Sequence, residues 1–176
     1  MSSIASRGTQ GIRNIALVGH ASGGKTLLLE SLLLQAGAIR SKGSLQRGTT
    51  VSDFDPQEKR LQHSLDACIC SIDCHGTRLN LIDTPGYPDF LGRTFSVLEA
   101  VESAVIVISA VTGVDSLTQR LMEFARDRGL CRLIVINKID SKDARTEEVL
   151  QQVRELFGNE CLPLNLPCDR GQGVVD

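Results

Sequence analysis

At 176 residues the chain is long enough for one domain with a real hydrophobic core. Its 19 Lys and Arg against 21 Asp and Glu leave a formal charge of −2, which gives no basis for an electrostatic grip on a membrane or for sequence-specific contact with nucleic acid. Residues 1–12 are mostly small and polar without an apolar centre, so they read as a flexible terminus rather than a secretory signal, and no apolar run approaches the ~20 residues of a membrane span. The expected compartment is the cytoplasm, and nothing suggests more than a monomer.

Ile15 to Val18 is an apolar run with the composition of a buried parallel strand. Gly19-His-Ala-Ser-Gly-Gly24-Lys25-Thr26 follows and fits G-x-x-x-x-G-K-[ST], and Leu27 to Gly37 is a leucine-rich run of helical length. Strand, loop and helix in this order argue against a chance glycine-rich turn. Such a loop wraps an anion closely, so Gly19, His20, Ala21, Ser22, Gly23 and Gly24 form a cradle of backbone N–H groups for phosphate oxygens. The helix N-terminus adds a positive dipole. Lys25 is expected to reach the β- and γ-phosphates, and the Thr26 hydroxyl to ligate Mg²⁺.

Residues 38–65 are polar and charged, without periodicity, and interrupted by Pro56; a stretch of this length reads as a functional or a disordered loop, with a solvated linker as the alternative. Asp66 to Cys74 alternates as a strand, His75-Gly76-Thr77 turns the chain, and Arg78 to Asp83 returns, which predicts an antiparallel hairpin. Cys68, Cys70 and Cys74 fall on one face with Ile72, as small core residues would. A zinc site with His75 would lack paired C-x-x-C ligands. Asp83-Thr-Pro-Gly86 then supplies a D-x-x-G element at a strand end. Asp83 is placed to hold Mg²⁺, and the Gly86 N–H to bond a γ-phosphate. Asp-Thr-Pro-Gly is also a good turn, so the element gains its meaning from the loop before it.

A helix with Leu91, Phe95, Leu98 and Val101 along one stripe comes next, then a buried strand from Ala104 to Ala110. Ser116-Leu-Thr-Gln119 matches a capping box opening a helix with Leu117, Leu121, Phe124 and Ala125 inward, and Gly129 ends it. Leu130 to Ile136 is a further strand. The last helix carries Val149, Leu150, Val153, Leu156 and Phe157 and stops near Gly158. There is no internal repeat. Strands alternating with helices predict an α/β fold with a mostly parallel sheet, one antiparallel hairpin strand and helices on both faces. The phosphate site then lies beyond the carboxyl ends of the strands.

Asn137-Lys-Ile-Asp140 follows the strand at Leu130 to Ile136 and carries base specificity. A carboxylate at Asp140 accepts from both N1–H and the 2-amino group of guanine, whereas adenine would leave it facing an acceptor. A buried unpaired acceptor costs ~1–3 kcal/mol, and charge raises the cost. Asn137 would hold the loop and the base edge, and the Lys138 stem would cover the base plane. The alternative is a surface turn with Asp140 as a helix N-cap. Together the three elements describe a guanine-nucleotide site binding GTP and GDP with Mg²⁺.

Taken in order, these motifs resemble the translational GTPases, and the elongation factor G group among them most. Asn14-Ile-Ala-Leu-Val-Gly-His20, Glu30-Ser-Leu-Leu, Gly37-Ala, Gly48-Thr-Thr, Ile82-Asp-Thr-Pro-Gly-Tyr-Pro-Asp-Phe90 and Asn137-Lys-Ile-Asp140 carry the likeness over roughly Arg13 to Asp176. The resemblance implies a Ras-like G domain of the P-loop NTPase class over 13–160, with 38–65 as its switch loop. It implies that 161–176 open an insertion in that domain, in a chain cut from a longer protein. It further implies GTP hydrolysis and a ribosome as partner.

Three departures from the family pattern bear on chemistry. Ser22 stands where the family usually has Asp. Leu61-Gln-His-Ser64-Leu65 aligns with the R-G-I-T-I switch element, leaving Ser64 a hydroxyl for Mg²⁺ and His63 in place of an apolar residue. Tyr87 stands where the family has its catalytic His, and a phenol orients water by hydrogen bonding but is a poor base at neutral pH. His63 would take part of that water-positioning role. Alternative readings are a GTP-gated ribosome binder with little hydrolysis and a ribosomal protection protein of the tetracycline-resistance type. A P-loop kinase or ATPase is argued against by Asn137-Lys-Ile-Asp140.

Overall fold

The sheet is built outward from one strand. In a computed structural model that describes residues 9–52, 58, 60, 64–168, 171 and 173–175, Ile12–Val18 forms β1, starting inside the stretch expected to be flexible. Its alternating side chains serve two layers. Ala16 and Val18 enter one core cluster, and Leu17 enters the other with Leu29 and Leu33. Parallel partners flank it, with β3 (Thr77–Asp83) on one side and β4 (Ser103–Ser109) on the other. β5 (Cys131–Asn137) extends the sheet beyond β4, and β2 (Cys68–Cys74) closes the other edge as the antiparallel partner of β3. The order is β2-β3-β1-β4-β5. The turn between β2 and β3 is two residues, with φ 46° at His75 and 80° at Gly76, the left-handed pair that a tight hairpin demands.

Helices cover both faces, as the alternation of strands and helices requires. α1 (Lys25–Gln35) lies on one face. α2 (Leu91–Leu98), α3 (Ser116–Asp127) and α4 (Thr146–Phe157) lie on the other, around Ile106, Ile108 and Leu98, each at most 1 % exposed. Full burial of such a side chain contributes about 1.5–3 kcal/mol. α1 ends in a Schellman motif, with Ala38 N–H donating to Leu33 O at 2.9 Å and Gly37 N–H to Leu34 O at 3.0 Å. A small antiparallel hairpin, β6 (Leu166–Cys168) with β7 (Gly173–Val175), follows α4. Among the described residues no helix is long and apolar enough to cross a membrane.

Four expectations change. The cap of α3 is Asp115, not Ser116: the Asp115 carboxylate accepts from Thr118 N–H at 2.7 Å, and Ser116 becomes the first helical residue. A charged acceptor beside the helix dipole outcompetes the neighbouring hydroxyl. Val101 is buried as predicted but lies beyond α2, whose last residue is Leu98. Leu156 is 48 % exposed rather than inward, and Val149 and Val153 alone form the fully buried stripe of α4. Of the cysteines on β2, Cys70 is buried, Cys68 is half-buried and Cys74 is exposed, because Cys74 sits at the hairpin end of an edge strand.

Candidate guanine-nucleotide site

The loops that follow β1, β3 and β5 meet at one end of the sheet. After β1 the chain runs through Gly19 and His20 into a single 3-10 turn, Ala21–Gly23, and then into α1. Gly24 carries φ 92° at the start of that helix, and a methyl group on it would stand 2.5 Å from Asn137 Nδ2. Only glycine provides both that backbone and that clearance. His20 Nδ1 accepts from Ser22 N–H at 3.3 Å and lies 2.9 Å from Ser22 Oγ, so this imidazole caps the turn. Its Nε2 faces Asp115 Oδ2 at 3.9 Å.

Lys25 is 4 % exposed. Its Nζ donates to Gly19 O at 2.9 Å and to His20 O at 3.0 Å, inside the loop it belongs to. Burial lowers its pKa from 10.5 to about 8, against the pull of the Asp83 and Asp115 carboxylates. Thr26 Oγ1 donates to Asp83 Oδ2 at 2.6 Å, joining α1 to the end of β3. A hydroxyl and a carboxylate side by side next to a phosphate cradle are the hard oxygen donors that Mg²⁺ takes, so the donor set fits that ion.

The segment after Asp83 is fixed by two buried hydroxyls. Thr84 Oγ1 donates to Leu17 O at 2.7 Å, and Thr94 Oγ1 of α2 donates to Pro85 O at 3.0 Å. Gly86 is thereby pressed onto the phosphate loop: a methyl group there would stand 2.5 Å from Ala21 N and in hard contact with Lys25 Nζ. A cavity of about 50 Å³ remains between Gly24, Lys25, Thr26, Leu45, Ser64 and Gly86, with Tyr87 at its margin. That is room for one or two water molecules. Tyr87 is 41 % exposed.

β5 delivers the third loop. Asn137 Nδ2 donates to Gly23 O at 2.9 Å, across 114 positions of sequence. Lys138 adopts φ 61°, and its Cε would lie 3.9 Å from a methyl group on Gly24. Asp140 is exposed, and α4 has Arg145 rather than Asp140 at its N-cap, which removes the capping alternative.

The structure therefore brings together Gly19, His20, Ala21, Ser22, Gly23, Gly24, Lys25, Thr26, Asp83 and Gly86, with Ser64 and Tyr87 on the same cavity and Asn137 and Lys138 against the loop at Gly23 and Gly24. Asp140, two residues further on, lines a separate open cavity with Pro167, Cys168 and Gly171. His63 lies outside the described residues. Sequence reasoning missed Asp115, Leu45 and Thr94. An Asp immediately before a helix is a cap signal, but its approach to His20 and Lys25 depends on how β4 and α3 are placed. Leu45 and Thr94 carried no signal.

Residues 10–167 match the elongation factor Tu GTP binding domain. The chain is 42 % identical over 168 residues to an elongation factor G-like protein of Mycobacterium tuberculosis (strain ATCC 25618 / H37Rv), covering 96 % of this chain and 23 % of that protein. It is 36 % identical over 171 residues to peptide chain release factor 3 of Listeria innocua, covering 93 % of this chain and 33 % of that one. A crystal structure from Thermus thermophilus superposes with a TM-score of 0.88 at 37 % identity, over 94 % of this chain and 25 % of the other. The chain thus spans 23–33 % of the length of these relatives. By the extent of these matches, the chain belongs to the elongation factor Tu GTP-binding domain family.

Proposed function

We propose that this chain is the GTP-binding and GTP-hydrolysing domain of an elongation factor G-like translation factor that acts on the ribosome, as a monomer, in the cytoplasm. The observation that carries this reading is the bond from Asn137 to Gly23 O, which fixes a guanine-reading loop against a phosphate loop. The names of the relatives support the link to translation. Residues 13–160 form the GTPase domain, 38–65 its switch loop, and 161–176 belong to an insertion.

The N–H groups from Gly19 to Gly24 cradle the phosphates, and Lys25 exchanges its two carbonyl partners for phosphate oxygens. Asp140 accepts from the guanine edge, and the Lys138 stem covers the base. Thr26 and Asp83 hold Mg²⁺, joined by Ser64 from the switch loop, and the ion supplies charge neutralisation at the phosphate oxygens. Gly86, packed against Ala21 and Lys25 at the edge of the cavity, presents its N–H to a γ-phosphate, which couples the 84–87 segment to the presence or loss of that phosphate. Tyr87 orients the attacking water by hydrogen bonding. Water adds to the γ-phosphorus, the bond to the bridging oxygen breaks with its electron pair left on GDP, and both protons of the water stay on the released phosphate.

Tyr87 favours a second reading, a GTP-gated ribosome binder with little turnover, because a phenol is a weak base. GTP hydrolysis measured with and without ribosomes separates the two. Stimulated turnover is expected. Tight binding without turnover would favour the gated binder, and no GTP binding would contradict both.

A further inference from the structure

Glu30 lies on α1 just beyond the phosphate loop, between two runs of leucine (Leu27 to Leu29 and Leu32 to Leu34), and none of its surface reaches solvent. A carboxylate is tolerated in such a place when hydrogen bonds replace its water. Glu30 Oε2 accepts from Gly43 N–H at 2.7 Å and Oε1 from Val51 N–H at 2.5 Å. The two bonds draw together the ends of the 43–51 segment, which also closes on itself. Thr49 N–H donates to Ser44 O at 3.1 Å, Ser44 N–H to Thr49 Oγ1 at 3.0 Å, and Gly48 N–H to Leu45 O at 3.1 Å. The approach is tight enough that a methyl group on Gly43 would stand 2.5 Å from Thr49 O. Within this closed segment Leu45 lines the small cavity that Lys25 and Gly86 also line.

We propose that Glu30 is a positioning residue for the bound nucleotide: its carboxylate holds the 43–51 segment shut on α1, which keeps Leu45 over the phosphate cavity and slows release of GDP. The inference rests on the nucleotide reading of that cavity. It gives a role to a buried charge that neither binds phosphate nor carries the chemistry. Loss of hydrogen bonds to a charged group opens such a segment more often, without dismantling the helix that bears it.

The test is release of N-methylanthraniloyl-GDP followed by stopped-flow fluorescence, on the wild type, Glu30→Gln, Leu45→Ala and the double variant, with folding checked by circular dichroism. Glu30→Gln turns one acceptor into a donor facing a backbone N–H. Leu45→Ala leaves the carboxylate and α1 untouched, and so tests the proposal even if the first variant folds poorly. Each single change is expected to speed release about tenfold, and the pair no more than the faster single, because both act on one closure. Unchanged release in Leu45→Ala, or fully multiplicative effects in the pair, would overturn the role of Glu30 while leaving the nucleotide site intact. Failure of the wild type to bind N-methylanthraniloyl-GDP would overturn the nucleotide reading itself, and this role with it.

Discussion

Lys25 keeps its amine where little water reaches it, and the consequence is a pH dependence. Its folded pKa, about 8, lies below its ordinary value of 10.5. Below pH 8 the amine is charged in both folded and unfolded chain, and the cost of burying it acts in full. Between pH 8 and 10.5 the unfolded chain still holds a proton that the folded chain has released, so stability rises with pH from this group. The gap corresponds to roughly 3 kcal/mol at most. Urea unfolding of the nucleotide-free chain at pH 7.5 and 9.5 should show a gain in the wild type that Lys25→Met lacks. Parallel pH profiles in the two proteins would contradict the burial argument. A phosphate bound at the proposed site would reverse the shift, since its oxygens would replace the lost hydration.

Asp115 shows how a single side chain can serve both an element and the site. It caps α3 through Thr118 N–H and faces His20 of the phosphate loop. Replacing a good cap by alanine costs ~1 kcal/mol, which lowers the melting temperature by about 2–4 °C in a chain of this size. Asp115→Ala is expected to show that loss in calorimetry, whereas Ser116→Ala should leave the transition in place. The reverse order would restore Ser116 as the cap. The elements themselves were readable because each carries its own local signal: the apolar run of β1, the His75-Gly76 turn, and the stripe of Leu117, Leu121 and Ala125 on α3. What failed was placement against neighbours. Ser116 and Asp115 are both good caps by composition, and the choice between them depends on backbone geometry. Leu156 has the right period for the core but stays 48 % exposed near the end of α4. Cys74 keeps the alternation of β2 but lies past the cover that α1 gives Cys70.

For the molecule as a whole, the three loops of the candidate site were visible in sequence because each combines residue types that few other sites need in that order. Their assembly was not. Gly86 against Ala21, Asn137 against Gly23 and Asp115 beside His20 are contacts between distant positions, created by the strand order β2-β3-β1-β4-β5. Composition and periodicity carry no record of that order. Nor could they show Glu30 holding both ends of the 43–51 segment, since its partners, the backbone donors of Gly43 and Val51, leave no mark in residue type. The cavity between these loops has a parallel explanation: glycine at position 86 lets its backbone meet that of Ala21, and glycine at position 24 leaves room for the Asn137 side chain.

Guanine recognition by the Asn137–Asp140 loop is tested most directly by calorimetric titration of the chain with GDP and with ADP in the presence of Mg²⁺, for the wild type and for Asp140→Asn. Binding of GDP but not ADP is expected, with Asp140→Asn weakening GDP by about 100-fold, since an amide turns one of two acceptor positions into a donor facing guanine N–H groups. Equal affinity for the two nucleotides, or an unchanged GDP affinity in Asp140→Asn, would contradict the assignment of this site to guanine.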